Sequence, residues 1–309
     1  MSLQERITVL LFLGIVGTIF ALAGSILARA LMRRRRIAAR SDQIVLVLAA
    51  IGLLCIAYGF VEPYRLTVTH VSVSSAKLAK GTGPLRIVHI SDLHSDPGPR
   101  LEERLPQVIG AEHPDLIVFT GDTINEPAGL PVFKACLTKI AAIAPTFVVK
   151  GNWDTQYWQD LPLFDGTGVQ ELNGTSVNMK LRGVRVGIAG VGVLSELRTD
   201  RALAGIPPDA FKIFLYHYPD LMRALADRHV DLYLAGHTHG GQIALPFYGA
   251  LMTLSSSGKK YEAGLFHERG TWLYVNRGIG MEGAVPRVRF WSPPEVTVID
   301  VNPESGKSG

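Results

Sequence analysis

The chain has 309 residues, a formal net charge of +4, 47% hydrophobic residues and two cysteines, with a pI near 9.1 and a mean hydropathy of +0.21. That is room for one large catalytic domain, but the hydropathy is high for a protein surrounded entirely by water. Two cysteines exclude a disulfide-framed scaffold, and the arginines at 29, 33, 34, 35, 36 and 40 outnumber the whole net excess, so charge gives no reason to expect a nucleic-acid partner.

The apolar excess lies at the front. No charged side chain occurs from Ile7 to Leu27 or from Ile44 to Val61, and each run is about the length that crosses a hydrocarbon core as a helix. Arg29, Arg33, Arg34, Arg35, Arg36 and Arg40 crowd the loop between them, and basic loops stay cytoplasmic. We therefore expect a two-pass membrane hairpin within residues 1–62, spanning about 7–28 and 44–61, that presents an extracytoplasmic catalytic domain; a cytoplasmic domain is the alternative. A cleaved signal peptide competes, because Ala21-Leu22-Ala23 resembles a small-residue cleavage site. Glu5 beside Arg6 lacks the usual basic bias, however, and an arginine block behind the site opposes export. Cys55, in the second span, and Cys136, in a predicted helix, read as packing residues.

Residues 61–85 read as a short tether. Beyond it, short Val- and Ile-rich runs predict buried strands: LRIVHIS (85–91), DLIVFTG (115–121), TFVVKG (146–151), RVGIAG (185–190), KIFLYH (212–217) and DLYLAG (231–236). ERLPQVIGAEH, PVFKACLTKIAAIA and DLMRALADRH carry helical spacing between them, which is the alternation of an α/β protein. TWLYVNRG, PRVRFW and PEVTVID predict closing antiparallel strands. The domain is expected over 63–303, with a disordered tail at 304–309.

Five polar clusters mostly follow apolar runs: SDLH (91–94), TGD (120–122), KGN (150–152), YHYP (216–219) and AGHTHGG (235–241). A pair of divalent metals needs hard oxygens, imidazoles and a carboxylate able to face both ions. Asp92, His94, Asp122, Asn152, His217, His237 and His239 supply all three kinds. Singly, each has a plainer reading: the aspartates as helix caps, His217 between Tyr216 and Tyr218 as a packed ring. Sites in such folds lie at the carboxyl ends of strands.

The ordered set D-x-H, G-D, G-N, H and G-H-x-H, with GHTHGGQI and the later NRGIG, resembles the calcineurin-like metallophosphoesterase family, in its small membrane-associated bacterial branch. The resemblance covers about residues 84–300. It implies a four-layer α/β/β/α sandwich, Asp92, His94 and His239 on one metal, Asn152, His217 and His237 on the other, and Asp122 between them. It also implies a hydroxide held between two ions of manganese, iron or zinc and directed at a phosphodiester or pyrophosphate, in a small molecule or a lipid. One departure stands out: where relatives carry a histidine proposed as proton donor, this chain has Trp153, and indole cannot serve as that acid. Asp154, Asp96 or Tyr157 could substitute, the leaving group could need no help, or the protein could bind phosphate esters with little turnover. Trp153 is a candidate to stack on substrate and Arg277 to clamp phosphate, whereas Arg287 and Arg289 read as solvated and His89 as packed. Residues 245–266 suggest a lid with Phe247, Tyr248, Leu251 and Met252 facing lipid or an apolar tail.

Overall fold

The computed structural model describes residues 2–33, 37, 39–79, 81, 83–283 and 287–304. Arg34, Arg35 and Arg36 of the basic loop, and the tail from Ser305 on, lie outside the described residues.

Two long helices, α1 (Leu3–Arg33) and α2 (Arg40–Val61), pack as a hairpin. Helix α1 begins with a reciprocal cap: the Glu5 amide donates to Ser2 Oγ at 3.2 Å and the Ser2 amide donates to Glu5 Oε2 at 2.8 Å. Apolar side chains point outward all round the pair, Leu11 61% and Leu54 70% exposed. Water would penalise that surface and a bilayer would cover it. Both helices are long and apolar enough to cross a membrane.

The rest is built on two six-stranded sheets. The first contains β1 (Thr67–Ser75), β2 (Leu85–Ile90), β3 (Leu116–Phe119), β4 (Thr146–Val148), β5 (Gln170–Glu171) and β14 (Glu295–Pro303), ordered β1-β14-β2-β3-β4-β5. The second contains β6 (Thr175–Leu181), β7 (Val184–Gly190), β8 (Phe211–Leu215), β9 (Leu232–Ala235), β12 (Gly264–Glu268) and β13 (Thr271–Val275), ordered β12-β13-β9-β8-β7-β6. A small hairpin, β10 (Ala244–Leu245) with β11 (Gly249–Ala250), lies outside both.

Strand periodicity sorts the core. In β2, Leu85 and Ile87 face the second sheet and meet Ile188, Ile213 and Leu234, whereas Val88 and Ile90 face outward. There they pack on α3 (Leu105–Ala111) and α4 (Leu130–Ala141) through Leu105, Phe133 and Leu137. On the far side, Phe214 and Tyr233 meet α6 (Thr199–Ala204) and α7 (Met222–Ala226) through Ala202, Met222 and Leu225. The layers are thus α/β/β/α, and burial on both faces is why the strands read as unbroken apolar runs.

Three expectations are corrected. The presumed tether contains β1, which pairs with β14 over nine positions; its mostly polar TVTHVSVSS hid an edge strand. PRVRFW forms no named strand, and Phe290 makes an isolated bridge with Ile243. TWLYV runs parallel to β9 rather than antiparallel; β12 does close its sheet antiparallel, whereas β14 is antiparallel to β2 but is flanked by the parallel edge strand β1.

Candidate metal centre

Five strands end at one place. β2 leads to Asp92 and His94, β3 to Asp122, β4 to Asn152 at the start of α5 (Asn152–Gln156), β8 to His217, and β9 to His237 and His239. The chain must turn at once after each strand, and Asp92, His94, Asp122, His237 and His239 take left-handed φ values of 50°, 41°, 60°, 71° and 51°. Side chains other than glycine avoid that region, and such strain collects at functional sites. Gly236 is required for space, because a Cβ there would strike Ser91 and the Asp92 carboxylate.

The side chains converge. Ligand atoms of Asp92, His94 and His239 lie within 4.8 Å of one another, as do those of Asp92, Asp122 and His217. Asp122 Oδ2 lies 3.5 Å from His94 Nε2 and 3.2 Å from His217 Nε2, so one oxygen faces both groups. Asp92 Oδ1 lies 3.3 Å from His239 Nε2 and 3.9 Å from His217 Nε2. His217 Nδ1 is 2.7 Å from the Thr120 carbonyl, to which it donates, leaving Nε2 aimed at the carboxylates. His237 Nε2 lies 3.2 Å from the Leu254 carbonyl. That bond holds the proton on Nε2 and leaves Nδ1 as the free lone pair.

The charges are poised for a cation. Although burial alone would raise both carboxylic acids, the histidines hold Asp92 below the carboxylate range and Asp122 well below it. Burial alone would lower His217, but Asp122 and Asp92 outweigh it and raise the ring to about 9. Burial and the adjacent His217 push His237 down to about 4. Buried polar atoms normally find hydrogen bonds, yet His94 Nδ1 and Nε2, His217 Nε2 and Asn152 Oδ1 make none among the described residues, the two Nε2 atoms facing only carboxylates. Orphaned nitrogens and an amide oxygen beside two depressed carboxylates are the donor set of a divalent ion, so the residues fit one.

A family model for calcineurin-like phosphoesterases matches residues 85–241. The chain belongs to that family. It is 34% identical over 251 residues to an uncharacterized metallophosphoesterase, YkuE, of Bacillus subtilis strain 168, covering 77% of this chain and 86% of that one. It is 30% identical over 240 residues to phosphodiesterase YaeI of Escherichia coli K12, covering 71% and 82%. It is 28% identical over 320 residues to UDP-2,3-diacylglucosamine pyrophosphatase LpxG of Chlamydia trachomatis, covering 82% and 94%. The protein is a metal-dependent phosphoesterase, and hence a hydrolase.

Several residues of this metallophosphoesterase lie differently from the sequence expectation. Asp154, a candidate proton donor, is fully buried and accepts from the Asp122 amide (2.9 Å), the Thr123 amide (2.9 Å) and hydroxyl (2.7 Å), and the Gly151 amide (2.8 Å). It clamps the turn that carries Asp122. Arg277, a candidate to clamp phosphate, donates to Glu295 at 3.0 Å, with Thr67 and Thr69 nearby. Asp96 pairs with Arg287 at 2.8 Å. Trp153 stands edge-on to His94, ring centroids 5.3 Å apart, with the exposed Tyr157 behind it. Leu251 of the expected lid is buried, whereas Phe247 and Tyr248 are exposed.

Sequence reasoning missed two supports. Arg289, read as solvated, is 0% exposed. Its guanidinium donates to the carbonyls of Gly280 (3.0 Å), Ser292 (2.9 Å) and Arg277 (2.9 Å) and lies 3.2 Å from His239 Nδ1. Its flanking Val288, Phe290 and Trp291 were the available signal. Asn125 donates to the His94 carbonyl at 2.9 Å and the Met281 carbonyl at 3.1 Å; its place three residues after Asp122 hinted at it.

Proposed function

We propose that this chain is a membrane-anchored phosphohydrolase with two divalent ions, manganese, iron or zinc, that cleaves a phosphodiester or pyrophosphate bond in a lipid-linked substrate. The supporting observation is the buried meeting of Asp92, His94, Asp122, His217 and His239, with unpartnered nitrogens turned toward two carboxylates. Bound divalent ions supply an activated water and neutralise phosphoryl oxygens. The chain's own residues do the rest. Asp92, His94 and His239 would hold one ion; Asn152, His217 and His237 would hold the other; Asp122 would face both. Asp154 keeps the Asp122 turn in register, and Trp153 walls the His94 side of the site.

Anchoring and lipid preference rest on the hairpin and on the rim. The domain contacts the start of α1 and the end of α2, which leaves Arg29, Arg33 and Arg40 at the far end of the hairpin. A basic far end favours an extracytoplasmic domain. Phe247, Tyr248, Leu254 and Trp291 are exposed, Tyr248 Oη lies 3.2 Å from Thr8 Oγ1 of α1, and Phe290, beside Trp291, packs on Tyr58 of α2. Aromatic side chains in that position suit a membrane interface. Because indole stands where relatives place an imidazole, we favour a substrate whose leaving group departs without protonation, as a phosphate does from a pyrophosphate. The same substitution supports a second reading, a regulatory membrane protein that binds metal and phosphate esters with little turnover.

Purified full-length protein in liposomes, given a long-chain lipid pyrophosphate or a water-soluble phosphodiester, tests the proposal. Faster release of phosphate from the lipid is expected. Binding of both without hydrolysis would select the regulatory reading, and a cytoplasmic carboxyl-terminal reporter would overturn the orientation.

A further inference from the structure

Helices α1 and α2 meet the catalytic domain through Glu5, Thr8, Tyr58 and Gly59, and the Glu5 contact leads to His237. Glu5, in the first turn of α1, is 4% exposed. One of its oxygens accepts from the Ser2 amide in the helix cap, and the other, Oε1, accepts from the Thr253 amide at 2.8 Å with the Thr253 hydroxyl at 3.0 Å. The next residue's carbonyl, that of Leu254, is the partner of His237 Nε2 at 3.2 Å. Leu254 itself has a left-handed φ of 57°, so this stretch needs an outside hold to keep its shape. On the other side, the Gly59 carbonyl of α2 accepts from the Arg289 amide at 3.0 Å. The Arg289 guanidinium lies 3.2 Å from His239 Nδ1. Tyr58 packs edge-on against Phe290 beside that contact.

A tether needs neither contact. A carboxylate buried at the start of a membrane helix is costly unless it is fully paired, and here its second oxygen is used on the loop that orients a ligand rather than on the helix. Groups that hold the far nitrogen of a metal-binding histidine fix its tautomer and direction. We propose that Glu5 is a positioning residue for the metal centre: through Thr253 and Leu254, α1 sets His237, so the membrane hairpin is a working part of the site. This inference rests on the metal-centre reading.

The test is manganese binding to the full-length protein in detergent, measured by equilibrium dialysis without substrate, for wild type, Glu5→Ala, Glu5→Gln and Ser2→Ala. Glu5→Ala should weaken binding on the order of tenfold, the scale set by loss of a group that orients a ligand. Glu5→Gln retains an acceptor for the Thr253 amide and should lie within about threefold of wild type. Ser2→Ala removes the hydroxyl's bonds to the Glu5 amide and Oε2 but leaves the Glu5 Oε1 link to Thr253, and should bind as wild type does. Equal binding by Glu5→Ala and wild type, or equal losses in Glu5→Ala and Ser2→Ala, would overturn the proposal. Hydrogen exchange on wild type provides a check that does not depend on the variants folding. Because coupling is reciprocal, added manganese should slow exchange across residues 251–256, and unchanged exchange there would also overturn the proposal. Wild type that binds no manganese, zinc or iron would remove the metal centre itself; wild type that binds while Glu5→Ala matches it removes the relay alone.

Discussion

Asp154 separates a structural clamp from a proton donor, and the two roles predict different failures. Asp154→Ala leaves the amides of Asp122, Thr123 and Gly151 and the Thr123 hydroxyl without their acceptor, all of them buried. A buried donor stripped of its partner costs about 1–3 kcal/mol. Partial rescue by water in the vacated space brings the sum to roughly 4 kcal/mol. Asp154→Asn should cost nearly as much, because its amide must turn a donor toward either Thr123 or the Asp122 and Gly151 amides. For a domain of this size the loss corresponds to a fall of roughly 10 °C in melting temperature. It can be followed by tryptophan fluorescence on metal-free protein in mild detergent, alongside hydrolysis rates for esters with good and poor leaving groups. The clamp predicts lower stability and an equal loss of rate for both esters. Unchanged stability with a rate loss confined to the poor leaving group would refute it and restore Asp154 as the acid.

Other consequences follow from the same geometry. His217 has a folded pKa raised to about 9 from 6.5, so its protonated form stabilises the metal-free fold fully below pH 6.5, and that contribution is lost as pH rises through 9. A metal must displace this proton, so manganese affinity should climb up to about tenfold per pH unit between those limits; calorimetry in two buffers that gives no proton release at pH 8 contradicts this. Phe247→Ser combined with Trp291→Ser should lower hydrolysis of a liposomal substrate severalfold and leave a soluble diester unaffected, since both side chains are exposed and the proposed anchoring would set them at the bilayer; equal effects on the two substrates would argue against lipid entry there.

The parts legible in the sequence are those fixed by local pattern. Runs such as LIVF and LYLA had to be strands buried on both faces, and D-x-H, G-D and G-H-x-H follow them because the site lies at strand ends. The hidden parts depend on partners distant in the chain. Arg289 reads as a surface charge until the carbonyls of Arg277, Gly280 and Ser292 are seen to converge on it. Arg277 meets Glu295 because β14 passes beside the turn after β13, a pairing no local spacing encodes. Nothing at position 5 announces a contact with Thr253, because the partner lies 248 residues further along the chain. β1 was hidden because an edge strand facing water on one side alternates with Thr, His and Ser.

The central claim is that Asp122 stands between two metal positions in a working phosphoesterase. The most direct measurement is hydrolysis of bis(p-nitrophenyl) phosphate by the full-length protein with manganese, beside Asp122→Asn. Nitrophenolate departs without protonation, so the missing imidazole at Trp153 is immaterial. The account predicts steady turnover by wild type and a loss of at least about a hundredfold in the variant. Equal rates in the two proteins, or no turnover by wild type with both metals bound, would contradict it.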